Sequence, residues 1–441
     1  MKMNFVKAGI NGEGIGYDHG RPVFCPGALP GETAEIRSTE DHERWMKAEC
    51  LQVLEASVHR VRPVCRDQKA CGGCPLMCAD NDLMKEIKLS LLKEALWKYG
   101  HVSDRFIREL HEAPDPFRYR SACKLPVREY NGKLVTGMYA PESNRFVPIE
   151  HCAVHTDALE EMRTGVLEIL NKHRIKAFDA KSGTGVRYLV LRVIQDHAQC
   201  TFITGRNTRF PDACIQDLAQ IPCLESIAQS VNTDRRSRDI FGSKVRTLYG
   251  TDHIEITLDG VRLRLSPASF FQLNVEQALR LYRTAVGKVQ NCRTLVETYC
   301  GVGAMSLMAK DRAQIICGIE NVQDAIDNAQ YNASINGADH VRFICDDAAE
   351  GYIRLAQKQR FDTMLADPPR SGMDDAMLSA LEQYPVDRLI YVSCNPVTLA
   401  KNLKVLKKTY ELRTVIPFDL FPQTPLVESV SVLTRRGVKG L

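Results

Sequence analysis

The 441-residue sequence contains no apolar stretch approaching the ~20 residues that a membrane-spanning helix needs, which excludes an integral membrane protein. Its first residues, MKMNFVKAGINGEGIGYDHG, reach glycine and acidic side chains too early for a secretory signal, so the expected location is the cytoplasm. There is no internal repeat, no low-complexity tract and no excess of one charge. Lys and Arg number 58 against 54 Asp and Glu, a net charge of +4 that permits a nucleic-acid partner without demanding one. A hydrophobic content of 44% and a charged content of 25% are those of a globular protein, which excludes a mostly disordered chain and a small disulfide scaffold. At ~100–200 residues per domain, the length allows two to four domains.

What the sequence has in excess is cysteine: sixteen residues in a chain expected to remain in a reducing compartment. Clustered cysteines there read as metal ligands or nucleophiles rather than disulfides. Cys200, Cys214, Cys223, Cys292 and Cys317 stand singly in apolar or mixed segments and read as structural. Cys65, Cys71 and Cys74 form a C-x₅-C-x₂-C group ending in CGGC, with Cys78 nearby. Four thiolates suit zinc or an iron–sulfur cluster, and spacing does not separate the two.

Three regions are expected. Residues 1–58 carry short β-like runs broken by Gly and Pro, the pattern of a small barrel. Residues 59–260 hold the cysteine group, a helical stretch NDLMKEIKLSLLKEALWKYG, and alternating strand-like and helical runs, an α+β pattern. Residues 261–441 set apolar runs (RTLVETYCG, QIICGIE, VRFICDD, FDTMLADPP, RLIYVSC) at intervals of roughly 20–30 residues with helical segments between them. That is the rhythm of an α/β sheet of buried parallel strands, which binds ligands at the carboxyl ends of its strands.

Chemistry-bearing residues stand at those strand ends. The turn Tyr299-Cys300-Gly301-Val302-Gly303 follows the first run, Glu320 ends the second, and Asp347 follows the third. Glycines allow close backbone approach to a ligand, and a carboxylate about twenty residues on suits ribose hydroxyls. The six-position dinucleotide fingerprint is missing, because Ala304 and Ser306 occupy its last glycine region, which favours S-adenosylmethionine over NAD. Asp367-Pro368-Pro369-Arg370 ends the fourth run; its prolines make the loop rigid and suit a carboxylate held against a flat ring, the alternative being a strand-terminating turn. Cys394 ends the fifth run, before Asn395 and Pro396, where a thiol serves as a nucleophile or a small core residue. Glu428 stands in a short apolar strand, either paired structurally or acting as a general base.

Together SFFQLN at 269–274, YCGVG at 299–303, GIE at 318–320, DPPR at 367–370, SCNP at 393–396 and FPQTPLVE ending at Glu428 resemble the RNA uracil-5-methyltransferase family, specifically its 23S ribosomal RNA branch. GEGIGYDHGRPVFCPGALPGE resembles a TRAM domain, and SVHRVRPVC with CGGC resembles that branch's iron–sulfur segment. The resemblance implies a Rossmann-like, S-adenosylmethionine-dependent α/β methyltransferase domain after an OB-type (TRAM) barrel and a central domain carrying a cysteine cluster. It implies Cys394 as nucleophile, Glu428 as base, and Gln272, Tyr299, Glu320, Asp367 and, more weakly, Asp347 as cofactor contacts. It also implies a [4Fe–4S] cluster on Cys65, Cys71, Cys74 and Cys152. Three positions depart from the family pattern: Glu297 in place of Asp, Asp346 in place of Gly, and Leu426 in place of His.

The chemistry requires a thiolate adding to C6 of uracil, a C5 made electron-rich for attack on the cofactor's methyl group, and a base to remove the C5 proton. The target base must leave its stack. His59, Arg60 and Arg62, then Arg118, Arg120 and Lys124, then Arg235, Arg236 and Arg238 are candidate phosphate contacts, with Tyr119 a candidate stacking platform. Competing readings are an amino-methyltransferase, which Arg370 argues against, a transfer RNA uracil methyltransferase, and a non-catalytic RNA-binding assembly factor. No feature calls for an obligate protein partner or a membrane, and the expected state is a monomer.

Overall fold

Alternation along KMNFVKA turns Met3, Phe5 and Ala8 inward and leaves Lys2, Asn4 and Val6 in solvent. In the computed structural model, which describes residues 1–234, 237 and 239–438, this strand, β1 (Lys2–Ala8), begins a closed barrel. The other staves are β2 (Gly14–Asp18), β3 (Arg21–Cys25), β4 (Thr33–Asp41) and β5 (Met46–Glu55), in the order β1-β2-β3-β5-β4. The barrel closes because β1 also pairs antiparallel with β4. Phe5, Val23, Cys25, Ala34, Ile36 and Met46 fill it, each large apolar side chain contributing ~1.5–3 kcal/mol by burial. The expected N-terminal barrel is therefore present.

The chain divides into two units. The first comprises Met1–Pro116, Pro368–Glu382 and Tyr391–Leu441; the second comprises Phe117–Asp367 and Gln383–Ile390.

In the first unit the barrel is followed by a single turn, α1 (Gln68–Cys71), and by α2 (Asn81–Ala95). Asp80 caps α2, its side chain accepting from Leu83 N at 2.9 Å. A wider turn over Leu96–Gly100 extends α2 and packs against α10 (Pro396–Leu406). A Cβ on Gly100 would stand 3.0 Å from Ala400 O, so the glycine lets the turn lie close against α10. The unit also holds most of α9 (Asp375–Gln383) and the antiparallel pair β20 (Tyr410–Phe418) and β21 (Glu428–Arg435). Beside β21 lies the end of β19 (Arg388–Ser393), a strand whose first half belongs to the second unit.

The second unit contains a seven-stranded sheet, order β12-β11-β10-β9-β6-β7-β8. Its strands are β6 (Ala122–Tyr130), β7 (Lys133–Tyr139), β8 (Phe146–Pro148), β9 (Val186–Ile194), β10 (His197–Thr204), β11 (Leu224–Val231) and β12 (Val245–Gly250). Helices α3 (Asp157–Lys172) and α4 (Asp212–Leu218) contribute Leu159, Val166, Leu170 and Cys214 to its core. After the hairpin β13 (Ile254–Leu258) and β14 (Val261–Leu265) and helix α5 (Val275–Gly287), the parallel strands begin. They are β15 (Cys292–Thr298), β16 (Ala313–Glu320), β17 (Val341–Cys345) and β18 (Thr363–Ala366), with α6 (Ala304–Met308), α7 (Gln323–Ile335) and α8 (Ala348–Ala356) between them. Order β17-β16-β15-β18, continued by the start of β19, gives the expected Rossmann-like α/β arrangement. Asp362 ties its base together, Oδ2 accepting from Arg293 N at 3.0 Å and Thr294 N at 2.9 Å.

Among the described residues no helix is long and apolar enough to cross a membrane. None of the sixteen cysteines is in a disulfide. Cys200, Cys214 and Cys317 are buried as expected of structural thiols, but Cys223 is exposed and Cys292 only half-buried; each sits where a strand begins, β11 and β15 respectively, and there flanking apolar residues do not guarantee cover.

Candidate active site

In the second unit the chain leaves β15 through a turn in which three of five residues take positive φ: Tyr299 at 62°, Gly301 at 52° and Gly303 at 82°. A Cβ built on Gly303 would stand 2.5 Å from Phe343 Cζ, so close packing against β17 demands glycine there. A Cβ on Gly301 would meet nothing within 4 Å, so the turn fronts open space. Glu320, the last residue of β16, reaches the same turn: Oε2 accepts from Gly301 N at 3.1 Å, and Oε1 from Asn321 N at 2.9 Å and Val322 N at 3.1 Å. Tyr299, Gly301 and Glu320 are thus brought together.

Two further carboxyls occupy the neighbouring strands. Asp367 directly follows β18, and desolvation by burial pushes its carboxyl up to about 7. Glu297, inside β15 and 1% exposed, is pushed up to about 8, first by burial and then by the nearby negative charges of Asp367 and Glu320. Ser306 N donates to Glu297 Oε2 at 2.7 Å and the Ser306 hydroxyl bonds the same oxygen, which fixes the start of α6 to β15. The sequence marks Glu297 only as a departure from Asp; its buried, proton-holding state went unread. The available signal is a carboxylate enclosed by the apolar run LVET.

Gln272 lies half-buried between buried Ser269 and buried Asn274. Asn274 caps α5 by accepting from Gln277 N at 3.2 Å. Asp347 is exposed, and its Oδ1 accepts from Ala349 N at 2.9 Å and Glu350 N at 3.2 Å, so this carboxylate caps α8.

In the first unit Cys394 directly follows β19 and is half-buried. Asn395 caps α10, accepting from Val397 N at 3.0 Å, and Pro396 opens the helix with its ready-set φ. Asn395 Nδ2 and Thr398 Oγ1 donate to Arg370 O at 3.0 and 3.2 Å, so the proline-stiffened DPPR segment is pinned to the start of α10. Glu428 opens β21, buried at 7% exposure, opposite Phe418. β19 and β21 are sheet neighbours, so the proposed nucleophile and base stand at termini of adjacent strands.

Cys65, Cys71 and Cys74 lie in the first unit, Cys152 in the second, and all four are half-buried. Burial pushes the Cys152 thiol up, but the hydrogen bond and charge of His155, together with backbone hydrogen bonds from Val154 and His155, hold it below its ordinary value. Among the described residues no group of three or more His, Cys, Asp or Glu side chains forms a site that could hold a metal ion. That finding does not support the expected four-cysteine cluster.

The basic residues expected to meet phosphate are partly engaged internally. Arg60 bonds both Glu32 oxygens, at 2.5 and 2.8 Å, and Gly27 O at 2.7 Å, and His59 pairs with Asp80 at 2.9 Å. Arg62 is exposed. Tyr119, expected as a stacking platform, is buried at 7% exposure and so offers no open ring face for a base. Lys124 sits over the Phe241 ring at 5.7 Å. Arg235, Arg236 and Arg238 lie outside the described residues.

The profile of a family described as tRNA (uracil-5-)-methyltransferase matches residues 88–436. A protein of Streptococcus agalactiae described as an uncharacterized RNA methyltransferase is 31% identical over 444 residues, covering 99% of this chain and 98% of its own. One from Listeria innocua is 34% identical over 443 residues, covering 98% and 96%. Among solved structures, the Pyrococcus abyssi tRNA (uracil-54, C5)-methyltransferase in complex with S-adenosyl-L-homocysteine is similar, with a TM-score of 0.79 at 24% identity, covering 98% of this chain and 100% of that one. At that identity the likeness is one of fold.

Proposed function

Because the chain belongs to the tRNA (uracil-5-)-methyltransferase family, we propose that it is an S-adenosylmethionine-dependent enzyme that forms 5-methyluridine in 23S ribosomal RNA. The observation that carries this reading is the placement of Cys394 and Glu428 at the termini of the adjacent strands β19 and β21. The cofactor supplies an electrophilic methyl group. Gln272, Tyr299, Glu320, Asp367 and, more weakly, Asp347 would hold it, and the open space before Gly301 fits a ligand against the turn.

The Cys394 thiolate adds to C6 of the flipped uracil, forming a C6–S bond and an enolate. The positive end of α10, an eleven-residue helix capped at Asn395, favours negative charge at its start. C5 attacks the methyl carbon, whose bond to sulfur breaks. Glu428 takes the proton from C5, the C6–S bond breaks, and the C5–C6 double bond returns. Burial of Glu428 keeps water from the carboxylate that must take this proton.

A second reading, a transfer RNA substrate, is favoured by the family description and by the name of the Pyrococcus enzyme. The N-terminal barrel does not separate the two, because the similarity to that transfer RNA enzyme covers 98% of this chain; the ribosomal RNA reading rests on the resemblance of the sequence motifs. The proposal includes a monomeric state, cytoplasmic location and, on the resemblance of the cysteine spacing alone, a [4Fe–4S] cluster, which iron and zinc analysis of anaerobically purified protein decides. Mapping of 5-methyluridine in ribosomal and transfer RNA from a strain lacking the gene, complemented by the parent or by Cys394→Ala, tests the rest. The parent restores a 23S site; Cys394→Ala does not, while binding the cofactor as well as the parent. Restoration by Cys394→Ala refutes the nucleophile, and restoration only in transfer RNA selects the second reading.

A further inference from the structure

The segment Asp419–Val427 joins β20 to β21 and delivers the chain to Glu428. It contains no regular element, yet it is largely buried: Asp419, Leu420, Gln423, Thr424 and Val427 are each below 9% exposure. What holds it is a lysine. Lys88, on α2, has 0% exposure, and its ammonium reaches Asp419 Oδ1 at 2.8 Å, Phe421 O at 3.1 Å and Leu426 O at 2.7 Å.

A lysine ammonium has three N–H donors, and here three acceptors take them. Two of the three are backbone carbonyls at either end of the loop, so one side chain fixes the loop at Phe421 and again two residues before Glu428. Desolvation pushes Lys88 down and Asp419 up, and each charge opposes the other's shift. Burying such a pair is costly and contributes little net stability, so its value lies in fixing one conformation.

Other bonds complete the same arrangement. Leu76 N donates to Gln423 O at 3.1 Å, Gln423 Nε2 donates to Pro116 O at 3.3 Å, and Thr424 Oγ1 donates to Phe421 O at 2.7 Å. Gln423 takes φ of 69°, a conformation that a side-chain-bearing residue holds only where its surroundings enforce it. Leu426 contributes its backbone carbonyl.

We infer that Lys88 is a positioning residue for Glu428, acting through the Asp419–Val427 loop so that the carboxylate meets the C5 proton. The inference rests on the reading of Glu428 as the base. It gives α2 a part in the final step of the reaction, proton removal, and none in cofactor binding or thiol addition.

The experiment compares the full-length parent, Lys88→Met, Glu428→Gln and the double variant Lys88→Met/Asp419→Leu, which removes both buried charges. Each is incubated with S-adenosylmethionine and a labelled, unmodified ribosomal RNA transcript. Turnover, KM and covalent protein–RNA adduct on denaturing gels are read, with S-adenosylhomocysteine affinity as a folding control. Lys88→Met is expected to lose at least ~10-fold in kcat, to keep both KM values within ~3-fold, and to accumulate adduct as Glu428→Gln does. The double variant behaves alike. Turnover within ~3-fold of the parent, or a loss without adduct, overturns the inference; so does failure of both Lys88 variants to fold, which assigns the lysine to stability. Absence of adduct in Glu428→Gln itself removes the base reading, a failure visible without reference to Lys88.

Discussion

Glu297→Gln isolates the consequence of a carboxyl sealed inside β15. Burial pushes this group up to about 8, against the ordinary 4.5. Between those values the folded chain holds a proton that the unfolded chain has shed. The unfolded state then binds fewer protons, so stability falls as pH rises, by about 1.4 kcal/mol per unit. From pH 5.5 to 7.5 the loss is about 3 kcal/mol; it is absent below pH ~4 and complete above pH ~8. Glutamine keeps an oxygen for the Ser306 N–H and hydroxyl but does not titrate. Asp367, raised to about 7, contributes with the same sign in both proteins and largely drops out of the difference, apart from its charge coupling to Glu297. Urea unfolding followed by far-ultraviolet circular dichroism across this range should show the parent losing about 3 kcal/mol more than the variant, and the variant more stable than the parent at pH 8. Parallel pH dependence in the two proteins would refute the assignment of a proton to Glu297.

Gly303→Ala places a methyl group 2.5 Å from Phe343 Cζ at a φ of 82°; the backbone strain and clash cost ~1–3 kcal/mol each. Calorimetric titration with S-adenosylhomocysteine should show at least a ~10-fold loss of affinity, and unchanged affinity would remove the turn from the cofactor site. Gly301→Ala, with open space around the added methyl group but the same left-handed strain, should destabilise the chain less than Gly303→Ala in thermal melts; the reverse order would contradict the packing argument.

The central parallel strands were legible because they are buried on both faces, so IICGIE and RLIYVS read as continuous apolar runs with the chemistry placed at their ends. The barrel was legible from the Gly and Pro residues that break its short β-like runs. Other residues depend on partners far away in the chain. Lys88 falls on the apolar stripe of α2 with Met84, Ile87 and Leu92, a signal present in the sequence, but its three acceptors lie more than three hundred residues on. Arg60 and His59 look like solvated cations until Glu32 and Asp80 come against them. Tyr119 sits among arginines in the sequence and is nevertheless covered. Asp347 illustrates a third case: an acidic residue opening a helix suits an adenine-side contact and a helix cap alike, and its bonds to the Ala349 and Glu350 N–H groups show the cap.

The most direct test follows the hydrogen that the reaction must expel. With RNA labelled by tritium at C5 of uracil, the purified enzyme and S-adenosylmethionine should release one tritium to water for each methyl group transferred, and Cys394→Ala should release none. Methyl transfer that leaves the tritium in the RNA would contradict alkylation at C5 and, with it, the roles given to Cys394 and Glu428.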